Sequence, residues 1–182
     1  MPFSSKPARR VAFGGILCAL SLLSLFLSGI FPYAEYTCPA LAGIFLMPLV
    51  SDYGRRTAWI AWGAISLLGF FVTPNKEAAA LFFVFLGYYP ILKSHLEQLR
   101  SRRAEIMVKL LIFNLAMLAA YGFLVLLLGM SELIKEMNIG LKYGIFLFWL
   151  AGNVIFLFYD LALSRIAWMY DLRIRPMLKH LR

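Results

Sequence analysis

Residues 110–129 read LLIFNLAMLAAYGFLVLLLG, a run without a single charge. A helix rises about 1.5 Å per residue, so the run reaches roughly 30 Å, the thickness of the hydrocarbon core of a bilayer. Residues 143–163 form a second such run, interrupted only by Asp160 near its end. Backbone N–H and C=O groups have no water to bond inside lipid, so segments of this kind cross as α-helices. These two stretches set the class: an all-α integral membrane protein.

The rest of the chain agrees with them. Its 182 residues are 62% hydrophobic, 16% aromatic and 15% charged, with a mean hydropathy of +0.79, where a soluble domain carries roughly 25% charged residues. All but three of the eighteen Lys and Arg residues fall into four clusters. These are Lys6, Arg9 and Arg10; Arg55 and Arg56; Lys93, Arg100, Arg102, Arg103 and Lys109; and Arg165, Arg173, Arg175, Lys179 and Arg182. Short basic loops stay on the cytoplasmic side, so the chain crosses twice between successive clusters. Six crossings follow, with both termini inside, in one compact bundle. The formal net charge of +9 then reads as orientation and contact with anionic lipids of a bacterial cytoplasmic membrane, with no nucleic acid implied.

The expected helices cover 11–31, 33–50, 57–72, 78–92, 110–129 and 143–163. The first run is too long for a signal-peptide core and ends in Ile30, Phe31 and Pro32, so it is expected to be retained. The second is short in its apolar part, with Glu35 and Tyr36 in its outer turn and a kink at Pro48. Ser94-His95-Leu96-Glu97 matches a capping box and opens an amphipathic inner-surface helix over 94–107. A second inner-surface segment is expected over 164–182. Cys18 and Cys38 lie at different depths, which excludes a disulfide between them.

Small residues mark packing faces in membranes. Gly14, Cys18, Ser21 and Ser28 make one stripe on the first helix, and Gly15 with Ala19 an adjacent pair; internal packing and partner docking are both open. Ser21, Tyr121 and Asn153 share a mid-membrane level, with Trp149 a turn outward. Interhelical hydrogen bonding and the floor of a ligand pocket are both open for them. Such a pocket would open toward Tyr33, Glu35, Tyr36, Thr73 and Asn75. A second polar layer, Tyr88, Tyr89, Asn114 and Asp160, lies near the cytoplasm, where Arg165 or Lys109 could neutralise Asp160. His95 and His180 do not make a metal site. No G-x-x-x-x-G-K-[ST], H-E-x-x-H, C-x-x-C or G-x-S-x-G motif occurs, so neither catalysis nor a cofactor is expected, and ATP-driven work would need another chain.

In size, helix number and topology the chain resembles the substrate-binding S component of energy-coupling factor (ECF) vitamin transporters. The family's A-x-x-x-A docking pair stands here as Gly15 and Ala19, with glycine at its first position. The resemblance implies a vitamin or micronutrient ligand held by Glu35, Tyr36, Thr73, Asn75, Tyr121, Trp149 and Asn153. It also implies docking of Gly15 and Ala19 on a transmembrane coupling subunit driven by separate ATPases. The chain is also similar to rod-shape-determining membrane proteins, which implies a scaffold without transported cargo. A third possibility is a lipid-interacting protein that works through the basic inner face.

Overall fold

A computed structural model describes residues 5–31, 34–98, 101–127 and 142–176, and every regular element among them is helical. The elements are α1 (Ser5–Leu27), α2 (Thr37–Ile44), α3 (Met47–Tyr53), α4 (Arg55–Val72), α5 (Lys76–Leu81), α6 (Tyr89–Leu96), α7 (Arg102–Leu127) and α8 (Lys142–Met169). Two π-helical turns join them: Phe82–Leu86 between α5 and α6, and Tyr170–Ile174 after α8. Three helical stretches are long and apolar enough to cross a membrane: Arg10–Leu27, Lys76–Leu96 and Trp149–Arg173.

The chain divides into two compact units, Met1–Glu97 and Gln98–Arg182. The reason lies in where apolar groups meet. The buried cluster of Leu17, Leu25, Ala42, Leu46, Leu49, Ala58, Ala61, Ile65, Phe82 and Ile91 is closed within the first unit, while α7 and α8 make their own seam.

In the first unit α1 is turned inside out relative to a helix in water. Ser21, Ser24 and Ser28 are buried beside Leu17 and Leu25, while Ile16, Leu20, Leu23 and Phe26 are exposed. That arrangement suits lipid as the solvent, since apolar groups gain nothing there by turning inward.

The expected helix over 33–50 is two helices, α2 and α3, with Phe45 and Leu46 in a turn between them. Pro48, in the first turn of α3, has no N–H for the carbonyl of Ile44 four residues back. The ladder resets: the Leu46 N–H bonds Gly43 instead of Ala42, and the carbonyl of Ala42 is left for another donor.

A second break falls in the stretch expected as one helix over 78–92. Pro90 cannot donate to Leu86, and the helix widens beforehand into the π turn, closed by the Gly87 N–H on the Phe82 carbonyl at 2.8 Å. Gly87 is required there. A Cβ at this position would lie 2.7 Å from the Phe82 carbonyl oxygen and 2.7 Å from Trp62 Cδ1.

The capping box at Ser94 does not form. Ser94 Oγ donates back to the carbonyl of Ile91 at 2.7 Å and Glu97 pairs with Lys93 at 3.0 Å, so both groups serve the end of α6. The surface helix expected over 94–107 is therefore the end of α6 followed by the first turns of α7, which runs on without a break. Likewise, the segment expected from 164 onward continues α8 into the second π turn, because no helix breaker precedes Pro176. Residues 177–182, with Lys179, His180 and Arg182, lie outside the described residues.

In the second unit α7 and α8 are 26 and 28 residues long. They pair antiparallel: Lys109 meets Asp160, Phe113 stacks on Phe156 with ring centres 4.6 Å apart, and Asn114 meets Asn153.

Candidate functional site

The turn between α4 and α5 shows how an expected site residue is used. Asn75 Oδ1 accepts from the N–H groups of Glu77 and Ala78 at 2.9 and 3.1 Å, which caps α5. Lys76 Nζ donates to the carbonyls of Phe70 and Thr73 at 2.7 and 3.1 Å and so covers the end of α4. Both groups hold the turn closed. A Cβ on Gly29 would lie 2.7 Å from Pro74 Cβ, so the end of α1 packs directly against this turn.

Thr73 is different. It is only 1% exposed, and its hydroxyl has no hydrogen-bond partner. Ser66 Oγ and Trp62 Nε1 share that condition. The three stand at intervals of four and seven residues, which places them on one face of α4. Gly69 lies on the same face, where a Cβ would touch Leu25 Cδ1 at 3.0 Å. Trp62 is also stacked on Phe83 of the π turn, with ring centres 5.6 Å and planes 8° apart. A buried hydroxyl or indole N–H without a partner costs about 1–3 kcal/mol, so this face concentrates unmet polar demand. Sequence reasoning singled out Thr73 and missed Ser66 and Trp62; the interval of 62, 66, 69 and 73 was the available signal.

The remaining expected residues of the first unit lie near the start of α2. Glu35 is half-buried, and Tyr36 is exposed at the N-cap position without capping through its side chain. Tyr33 lies outside the described residues. Ser21 is spent on packing: its Oγ donates to the carbonyls of Leu17 and Ala42 at 2.9 and 3.0 Å. Ser24, which sequence reasoning passed over, bonds the carbonyl of Cys38 at 2.8 Å. Thus the serine face of α1 binds α2, using the carbonyl freed at the α2–α3 break. Gly15 and Ala19 point elsewhere; both are exposed, and a Cβ on Gly15 would meet open space. Cys18 and Cys38 are free thiols. Tyr88 and Tyr89 belong to an aromatic cluster, with Trp59 against Tyr88 and Phe85 against Tyr89.

In the second unit the expected ligand residues hold one another. Asn114 Nδ2 donates to Asn153 Oδ1 at 2.9 Å and to the Leu110 carbonyl at 2.8 Å, and Asn114 Oδ1 accepts from Trp149 Nε1 at 2.6 Å. Asn153 Nδ2 also reaches the Trp149 carbonyl at 2.9 Å. Toward the start of α7, Lys109 Nζ lies 3.0 Å from Asp160 Oδ2 and 2.6 Å from Glu105 Oε1. Of the two cations the sequence offered to Asp160, Lys109 is the one paired with it. Tyr121 lies on α7, but its side chain falls outside the described residues. Among the described residues no three of His, Cys, Asp and Glu come together as a metal site.

Compared with protein-family models, curated proteins and solved structures, the chain matches none of them.

Proposed function

We propose that this is a six-span protein of the bacterial cytoplasmic membrane, with both termini inside, that binds a small molecule as the substrate-binding subunit of an ECF-type uptake system. The observation that carries the reading is the face of α4, where Trp62, Ser66 and Thr73 present three buried polar groups without partners. A ligand bearing oxygen or nitrogen acceptors, as vitamins and related micronutrients do, would satisfy them. The exposed Gly15 and Ala19 support the docking half of the reading. With Ser21 and Ser24 committed to α2, the other face of α1 is left to a coupling subunit, and energy would come from separate ATPases.

The test is mild purification followed by mass spectrometry of the denatured sample. A small molecule should be retained by the parent protein and lost in Ser66→Ala/Thr73→Val, whereas Gly15→Leu should keep it and lose the co-purifying partner. Absence of any retained small molecule from the parent would count decisively against the binding role.

A scaffold without cargo is favoured by one observation: Asn114, Asn153 and Trp149 satisfy one another. On that reading Asn153→Leu loosens the α7–α8 pair without changing what co-purifies.

A further inference from the structure

The acids and bases near the α3–α4 turn are sorted unequally. Lys93 there has a carboxylate partner, Glu97, at 3.0 Å. Arg10 and Arg55 of the first unit do not. Arg10, from α1, donates to the Thr57 hydroxyl and lies over the Tyr53 ring, 5.6 Å from its centroid. Arg55, the first residue of α4, is set against the ring nitrogens of His95 from α6. Neither of these contacts is with a carboxylate. Each keeps a full positive charge, with no carboxylate on it among the described residues.

Three helices thus bring Arg10, Arg55 and His95 to the first turn of α4, and Arg56 adds a further exposed cation beside them. That turn contains no acid, and no side chain caps it. Gly54, at φ +81, makes the sharp entry that sets Tyr53 and Arg55 on either side of it. Asp52 stands just before Tyr53, and it too is engaged in an interaction of its own.

A guanidinium offers two parallel N–H groups that match two oxygens of a phosphate, and it stays charged at every physiological pH. We infer that the α3–α4 turn, with Arg10, Arg55 and His95 around it, is a phosphate-binding site. It would take the phosphodiester of an anionic lipid headgroup or the phosphate of a soluble ester, with Arg10 and Arg55 as principal donors. Arg10 would clamp α1 and Arg55 would clamp α6 to the same anion. The inference is independent of any uptake role, because it uses the basic face alone.

Native mass spectrometry of the full chain in a non-ionic detergent tests it, with short-chain phosphatidylglycerol, short-chain phosphatidylcholine and inorganic phosphate as probes. Phosphatidylglycerol should bind about tenfold more tightly than phosphatidylcholine. Arg10→Gln and Arg55→Gln should each erode that preference, while Arg165→Gln, at an exposed arginine of α8, should keep it. Arg10→Lys and Arg55→Lys should keep part of the binding that the glutamine variants lose, since lysine retains the charge without the fork. These lysine variants also carry the test if a glutamine variant fails to fold. Competition by inorganic phosphate with the same arginine dependence would name a soluble phosphate as the source; binding of lipid without competition would name the headgroup. The site is refuted if the parent neither prefers phosphatidylglycerol nor binds phosphate, or if Arg165→Gln costs as much as the other two.

Discussion

The two units bury polar groups in opposite ways. In the first, the α2–α3 and α5–α6 stretches are interrupted, and the side chains of α1 bond to backbone: Ser21 to the carbonyl of Ala42, Ser24 to that of Cys38. In the second, two long helices run without a break, and side chains bond to side chains: Lys109 to Asp160, Asn114 to Asn153 and Trp149. The difference follows from proline. Where Pro48 and Pro90 interrupt the ladder, carbonyls are released or helices widen, and neighbouring side chains can use the backbone. In the unbroken helices the carbonyls that side chains reach are those of the same helix, as Asn114 reaches Leu110 and Asn153 reaches Trp149, so recognition between α7 and α8 comes from paired amides and an ion pair. Interrupted helices in membranes are tolerated where such partners exist.

The largest expected effect strikes the first unit. Gly87→Ala places a methyl group against the Phe82 carbonyl and Trp62 at once, and the backbone oxygen cannot rotate away. A loss of about 3 kcal/mol is expected, read as a fall in thermal midpoint in detergent. Adding Trp62→Leu should not restore it, because the clash with backbone remains; full recovery in the double variant would mean that the π turn is not what fixes this glycine. The second unit should respond next. Lys109→Met removes the cation that Asp160 meets in this partly buried seam, at a cost of about 2 kcal/mol. The pair Lys109→Met/Asp160→Asn should lose less than the two single changes added together. Strict additivity would show that the ion pair contributes nothing to the hairpin.

How far the sequence could be read follows the same division. Runs of apolar residues and the flanking basic clusters located α1, α4, α7 and α8, because long uncharged stretches without a breaker form long helices. The partner of Asp160 was legible as one of two cations, since a buried acid needs a base within reach. The level of Asn114 was not. Counting inward from the edges of the apolar runs put it in a different layer from Asn153, but α7 and α8 extend well beyond those edges, and the two asparagines meet. The π turn was also hidden. Gly87 and Pro90 signal a break, yet widening and kinking leave the same mark in sequence. Of the candidate site residues, Asn75 looked like a ligand group because it is a polar residue at a turn expected to face outward, which is also the description of a helix cap. Thr73 differs from it only in burial, and burial depends on how closely α1 packs against α4.

The smallest expected effects compare the two kinds of bond directly. Ser24→Ala removes one hydroxyl from the carbonyl of Cys38, and Asn153→Leu removes an amide from Asn114 while leaving Trp149 to hold the remaining oxygen. Interhelical hydrogen bonds in membrane proteins average about 0.6 kcal/mol. Ser24→Ala should fall near that value, because a carbonyl still bonded within its own helix loses only a second donor. Asn153→Leu should cost about twice as much, since the half-buried Asn114 amide then has only the Leu110 carbonyl for its two N–H groups. Trp149 reports the event: its indole N–H keeps a single acceptor on a side chain newly free to rotate, so its fluorescence should shift in Asn153→Leu and stay fixed in Ser24→Ala. Equal losses from the two substitutions, with Trp149 silent in both, would mean that the two units bury their polar groups at the same cost, whatever their bonds are made of.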